Sequence, residues 1–271
     1  CYALFEPHMG SDASEQLELL NDLRQALDRG ELALHYQPKI DGTRGQISGV
    51  EALLRWNHPE WGAVSPAEFV PVAESSGQIL QIGRWVLEKS CLQLAEWARH
   101  KDTAHWYLAV NISARQLHSS AFVQEVISAL EQSGAAPQKL VLELTESQLL
   151  QDIDTIIDKM QQLNALGVRF SLDDFGTGYS SLKYLKELPI DGIKIDRSFV
   201  QDIGIDSSDE TIIEAMLSMA NSLGMYCVAE GVETEQQLAF FNRRQCYLIQ
   251  GYLFAKPMPA ADIPAFLQTE L

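Results

Sequence analysis

From residue 107 onward, six short apolar runs alternate with stretches of helical periodicity, and this rhythm restricts the fold more than any other feature. The runs at 107–112, 140–144, 168–172, 192–195, 225–229 and 247–249 have the length and content of buried strands. Between them, residues 121–131, 153–166, 181–188, 210–223 and 235–243 read as helices, and a closing helix is expected at 261–267. Strands joined to helices by short connections build βαβ units and a parallel sheet. Ahead of them, Leu17, Leu20, Leu23 and Leu27 mark an amphipathic helix over 14–29, which Gly30 stops. A strand over 32–37 ended by Pro38, a turn over 41–46 and a second strand over 47–56 follow. Ser65-Pro66-Ala67-Glu68 opens a capped helix, and a long helix covers 79–100. A hairpin followed by six repeats suits an α/β fold of the (β/α)8 TIM-like barrel type better than an open doubly wound sheet. No glycine-rich dinucleotide fingerprint follows any strand, and no low-complexity linker divides the barrel region.

Charge and metal-ligand chemistry narrow the function. A formal net charge of −17 argues against a partner bound through many phosphates, so DNA is not expected. A small phosphorylated ligand remains compatible where bound cations reverse the local field. The four cysteines lie far apart with no C-x-x-C, which reads as free thiols in a reducing cytoplasm. The six histidines form no ligand pair, so a metal here has to be held mainly by oxygen, as Mg²⁺ or Mn²⁺ are. The sequence shows no apolar span of membrane length and no signal-peptide pattern, so a cytoplasmic location is expected.

The chemistry stands at the strand ends. Asn111 follows Leu108-Ala109-Val110, and Glu143 follows Val141-Leu142 with Glu146 just beyond. Asp173 and Asp174 follow Phe170-Ser171-Leu172, Lys194 and Asp196 lie in Ile193-Lys194-Ile195-Asp196, and Glu230 and Gln250 close two later runs. Glu51 and Arg55 belong to the second strand. In a barrel these positions converge on one mouth, where such folds place their catalytic groups. Each residue alone has an ordinary explanation: Asp174 or Glu230 as a helix cap, Glu146 or Glu233 as a first-turn acid facing a helix dipole. The set does not, because that many unpaired carboxylates at one mouth would repel at a cost of several kcal/mol per buried charge, and divalent cations relieve this.

Taken in order, these motifs resemble the EAL-domain cyclic di-GMP phosphodiesterases. The resemblance is carried by Glu51-Ala52-Leu53-Leu54-Arg55, Asn111 in Val-Asn-Ile-Ser, and Glu143-Leu144-Thr145-Glu146. Asp173-Asp174-Phe175-Gly176-Thr177-Gly178-Tyr179-Ser180-Ser181, Lys194-Ile195-Asp196, Glu230-Gly231-Val232-Glu233 and Gln250-Gly251-Tyr252 complete it, over about residues 17–266. One departure is Gln245-Cys246-Tyr247, where the family often has Gly-Cys-Asp.

The resemblance implies a barrel whose first strand is antiparallel to the rest, and hydrolysis of cyclic di-GMP to linear 5′-pGpG. It implies that Glu51, Asn111, Glu143 and Asp173 hold one divalent cation, and that Asp173 bridges to a second held by Asp174 and Glu230. Lys194 would orient or help activate the attacking water, Glu230 and Glu51 would share in catalysis, and Gln37, Arg55, Asp196 and Gln250 would contact substrate or organise the pocket. Glu146 would steady the loop after the aspartates, and Glu233 would support the ligands from behind. The cations would be Mg²⁺ or Mn²⁺, with Ca²⁺ inhibiting through its looser shell. The alternative within the family is a catalytically inactive receptor that binds cyclic di-GMP. Residues 1–13 are similar to the tail of a GGDEF domain and read as a linker, with the phosphodiesterase domain over 14–271. The expected setting is a longer signalling protein with upstream GGDEF regulation, and a homodimer is compatible with the family.

Overall fold

In the computed structural model, which describes residues 18–149, 152–176 and 182–266, the chain enters through helix α1 (residues 18–26) and turns at Gly30. The antiparallel hairpin of β1 (Leu32–Asp41) and β2 (Gln46–His58) follows, then β3 (Gly62–Val64), α2 (Pro66–Ser76) and α3 (Ile79–Trp97). Next come β4 (Tyr107–Asn111), α4 (Ala114–His118), α5 (Phe122–Ser133), β5 (Leu140–Thr145), α6 (Ile153–Asn164) and β6 (Arg169–Phe175). The chain continues through α7 (Leu182–Glu187), β7 (Gly192–Ile195), α8 (Arg197–Gln201), α9 (Ser207–Ser222), β8 (Tyr226–Ala229), α10 (Glu235–Arg243), β9 (Leu248–Ile249) and α11 (Ile263–Phe266).

Eight strands close into a ring in the order β1-β9-β8-β7-β6-β5-β4-β2, with β2 pairing back to β1 and β3 appended outside. β1 is antiparallel to both its neighbours, and every other pair in the ring is parallel. This is the modified (β/α)8 barrel expected from the motifs. Along each strand, alternate side chains turn outward under the helices: Leu108, Val110, Leu140, Leu142, Phe170 and Leu172 are buried there. Each contributes roughly 1.5–3 kcal/mol by leaving water. The intervening positions, among them Asn111, Glu143, Asp173 and Lys194, turn inward and carry the polar chemistry.

Several elements differ from expectation for identifiable reasons. Pro38 does not end β1. Tyr36 donates its N–H to Met258 O at 2.7 Å, away from β2, so the Pro38 nitrogen two residues on faces that same side. The ladder to β9 starts there only at Ile40, so no donor is missed. The short β3, α4 and α8 were not anticipated, since three to five residues display no period. Side chains hold both helices instead: Ser113 and Gln116 form a capping box on α4, and Asp196 accepts from Ser198 N on α8. Helix α9 starts earlier than expected because Asp206 caps it through Ser208 N. The predicted closing helix is a 3₁₀ turn at Ala260–Asp262 running into α11. The expected linker at 1–13 and the start of the first helix lie outside the described residues. Among the described residues no helix is long and apolar enough to cross a membrane. Cys91, Cys227 and Cys246 are free thiols, as the spacing implied.

Candidate active site

Lys194 is the centre of the inward-facing residues. Its side chain is 1% exposed, and its Nζ lies 2.7 Å from Glu230 Oε1, 2.8 Å from Glu143 Oε2, 3.0 Å from Asp173 Oδ1 and 3.2 Å from Glu51 Oε2. Strands β2, β5, β6 and β7 thus bring four of the expected residues to one point, and the end of β8 brings Glu230. Burial alone would lower the Lys194 pKa, but the surrounding carboxylates, Asp173 foremost, raise it well above its ordinary value. Glu51 is similarly contested. Burial opposes its charge, yet Lys194 and Lys39, with hydrogen bonds from Gln250 and Asn111, bring the carboxyl down to about 2. Glu230 goes the other way: burial, with Asp173 and Glu51 nearby, outweighs Lys194 and pushes it up to about 8.

Amide side chains orient the carboxylates. Asn111 Nδ2 donates to Glu51 Oε1 at 2.6 Å, which leaves Oδ1 as the atom suited to a cation. Gln250 Nε2 donates both to Glu51 Oε2 at 2.7 Å and to Gln37 Oε1 at 3.0 Å, and Gln37 Nε2 is fixed on Ala255 O. Half-buried Arg55 donates to Leu54 O, and it lines the cavity on the Asn111 side of the carboxylates.

The two aspartates at the end of β6 are not equivalent. Asp173 accepts from the Asp174 N–H at 3.0 Å and faces Lys194, whereas Asp174 sits at φ 52°, a left-handed conformation uncommon for a residue with a β-carbon and best tolerated by Asp and Asn. The carboxyls of Asp174 and Asp196 are hydrogen-bonded to each other. Burial, Asp173 and Asp196 push the Asp174 carboxyl up to about 6. Asp196 also caps α8, so the bland and the functional readings of that residue both hold. Glu146 opens a 3₁₀ turn after β5 and accepts from the Gly176 N–H at 3.0 Å, reaching the loop that follows the aspartates. Residues 177–181 of that loop lie outside the described residues. Glu233 stands exposed on the rim, with its N–H donating to Gln237 Oε1, and belongs to neither acidic group.

One residue escaped the sequence reading. Lys39, in β1, is 1% exposed, with Nζ 2.5 Å from Glu143 Oε1 and 4.0 Å from Glu51 Oε2. Glu143 therefore has an ammonium on each oxygen, although burial and Glu51 still raise its pKa. The available signal was the two-residue alternation Gln37, Lys39, Asp41, which puts Lys39 on the inward face.

The donor set suits divalent cations. Glu51, Glu143 and Asp173 bring carboxylate oxygens within 4.8 Å of one another, and so do Asp173, Asp174 and Glu230, with Asp173 common to both groups. These are hard oxygen donors, matched to hard cations rather than to thiolate-seeking metals. Gln250 Oε1, beside Glu51, is buried with no hydrogen-bond partner among the described residues, a polar atom that a ligand in the cleft would satisfy. Two cavities flank the carboxylates. One of 260 Å³ is lined by Gln37, Lys194, Asp196, Glu230, Gln250 and Tyr252. The other, of 320 Å³, is lined by Arg55, Asn111, Glu143 and Ile79, and both reach Leu53, Asp173 and Asp174.

A closed barrel with one antiparallel strand and an acidic mouth of this composition has clear relatives. The EAL domain family model matches residues 20–257, and the chain belongs to that family. It is 47% identical over 266 residues to the bifunctional diguanylate cyclase/cyclic di-GMP phosphodiesterase MucR of Pseudomonas aeruginosa, covering 97% of this chain and 38% of MucR. The cyclic di-GMP phosphodiesterase PdeR of Escherichia coli is 40% identical over 259 residues, covering 96% of this chain and 39% of PdeR. The chain thus spans about two fifths of the length of these curated relatives. A solved structure of the PaMucR phosphodiesterase in complex with c-di-GMP superposes with a TM-score of 0.88 at 47% identity, over 91% of this chain and 99% of that one.

Proposed function

We propose that this domain hydrolyses cyclic di-GMP to linear 5′-pGpG with two bound divalent cations, Mg²⁺ or Mn²⁺. The observation that carries the reading is the pair of acidic groups sharing Asp173, set between two cavities. A ligand with a phosphodiester at its centre and a bulky nucleoside on either side matches that layout. The names of the relatives add support for the substrate.

In this reading Glu51, Asn111, Glu143 and Asp173 hold one cation, and Asp173, Asp174 and Glu230 hold the other. When bound, such a pair stabilises the attacking and leaving oxygens of an in-line displacement and acidifies the attacking water. The protein's own groups do the rest. Lys194 holds the carboxyl groups of Glu51, Glu143, Asp173 and Glu230 convergent on its ammonium, and it orients the water from beneath. Arg55 supplies a planar fork for a phosphate oxygen, while Gln37 and Gln250 anchor the floor of the cleft around Glu51. Asp196 contacts substrate beside Asp174. Glu146 holds the Gly176 backbone so that the loop after the aspartates keeps its place, and Glu233 supports the rim.

The test is product analysis after incubation with cyclic di-GMP and Mg²⁺. Linear dinucleotide is expected. Ligand bound but recovered intact would identify a receptor domain instead, and absence of binding would refute both. GGDEF regulation from upstream and pairing into a homodimer are proposals of the same kind, open to test in the full-length protein.

A further inference from the structure

We propose that Lys39 is a positioning residue that acts as a permanent counter-charge to the Glu51–Glu143–Asp173 group, holding it together without metal and thereby weakening its cation affinity. The inference rests on the metal-site reading above. Lys39 and Lys194 both reach this group, but they are placed differently. Lys194 lines the cleft, whereas Lys39 lies outside the lining of both cavities, beneath the carboxylates. Lys39 is therefore not a catalytic residue. Its ammonium sits 2.5 Å from Glu143 Oε1, while Lys194 takes Glu143 Oε2 at 2.8 Å.

A side chain that only filled this space would be apolar, since taking an ammonium out of water costs several kcal/mol. What offsets that cost is the crowding of carboxylates. Glu51, Glu143, Asp173, Asp174 and Glu230 share one mouth with two lysines, and Glu143 and Glu51 lie within reach of both lysines. The ammonium of Lys39 remains in place when a cation arrives, and the two positive charges oppose each other across Glu143. The same interaction has two consequences. Removing the lysine destabilises the metal-free fold more than the metal-loaded one, and by the thermodynamic cycle the cation must then bind the variant more tightly.

Lys39→Met tests this, because it keeps the length of the side chain and removes its charge. Mn²⁺ binding is followed by calorimetry and electron paramagnetic resonance at fixed pH, and thermal unfolding is recorded with and without saturating Mn²⁺. The expected result is a Kd for Mn²⁺ lowered by about tenfold or more, since charges a few ångströms apart couple strongly even at an effective dielectric near 20. The loss of Tm should be larger without metal than with it. An unchanged or raised Kd, or equal losses of Tm in both states, would overturn the proposal and leave Lys39 a packing residue. If the variant is unfolded without metal, refolding by Mn²⁺ supports the proposal, and failure to refold at saturating Mn²⁺ overturns it. Parent protein that takes up no Mn²⁺ refutes the metal reading and this inference with it, whereas parent binding that the substitution leaves unchanged refutes the inference alone.

Discussion

Gly251 offers a sharp test of how the mouth is assembled, because the space for its side chain is taken by backbone. A Cβ built there would lie 2.0 Å from Val232 O and 2.4 Å from Val232 N, where real contacts essentially never fall below 3.0 Å. In Gly251→Ala the segment after β9 must therefore move about 1 Å from the loop that follows Glu230. Two hydrogen bonds join these segments, Val232 N to Gln250 O at 3.2 Å and Leu253 N to Val232 O at 3.0 Å. Losing both costs about 1 kcal/mol each, and residual strain brings the total to roughly 2–4 kcal/mol. For a domain of this size that lowers Tm by roughly 5–15 °C. Activity should suffer more, since Gln250 anchors Glu51 and Glu230 stands on the other side of the displaced contact. A misplacement of about 1 Å is worth around 100-fold in kcat/KM. Gly30→Ala is the control: its φ of 70° disfavours a side chain, but nothing lies within 4 Å, so it should cost about 1 kcal/mol and leave turnover unchanged. The assay is differential scanning fluorimetry beside initial rates on cyclic di-GMP. If Gly251→Ala melts within 2 °C of the parent and turns over normally, the reasoning from close backbone approach is wrong.

Four further outcomes follow from the same geometry. Chelation should abolish turnover, with Mg²⁺ or Mn²⁺ restoring it and Ca²⁺ supporting ligand binding but little cleavage; full activity in verified metal-free protein would refute the two-cation reading. Asp174→Asn should retain cyclic di-GMP binding and lose most cleavage, whereas Asp173→Asn should lose both, because Asp173 alone belongs to both acidic groups; calorimetry and single-turnover cleavage at matched Mg²⁺ distinguish them. Cation affinity should climb as pH rises from 6 to 8.5, since Asp174 at about 6 and Glu230 at about 8 hold protons that a cation must displace; a pH-independent Kd with no proton release in calorimetry would contradict this. Gln245 sits at φ 61° just after α10, where a β-carbon is disfavoured by about 1 kcal/mol, so Gln245→Gly should raise Tm by about 2–4 °C, and a lowered Tm would show that the position carries no strain.

The barrel was legible because its strands are buried beneath helices and read as apolar runs, and the site was legible because a chemical group stands at the end of each run. What escaped notice shares one physical cause. The short helices α4 and α8 depend on side-chain caps made by Ser113, Gln116 and Asp196, and such contacts leave no periodicity in the sequence. Asp196 shows how a residue can serve both readings at once, capping α8 while hydrogen-bonding Asp174. Lys39 was hidden for a related reason. Read along the chain it is one charge in a strand-like run ended by a proline, and β1 was expected to stop before reaching it. Only because Pro38 turns its donorless nitrogen to the side where the ladder to β9 has not yet begun does the strand continue, and with it the alternation that carries Lys39 inward. Its partner Glu143 lies 104 residues away in sequence, so no local pattern could join them. The ring closure that makes β1 a neighbour of both β2 and β9 is what converts a lone lysine into part of the acidic site. Motif order can therefore locate the acidic residues of such a mouth, while the lysine set against them from β1 is brought there by the topology of the barrel.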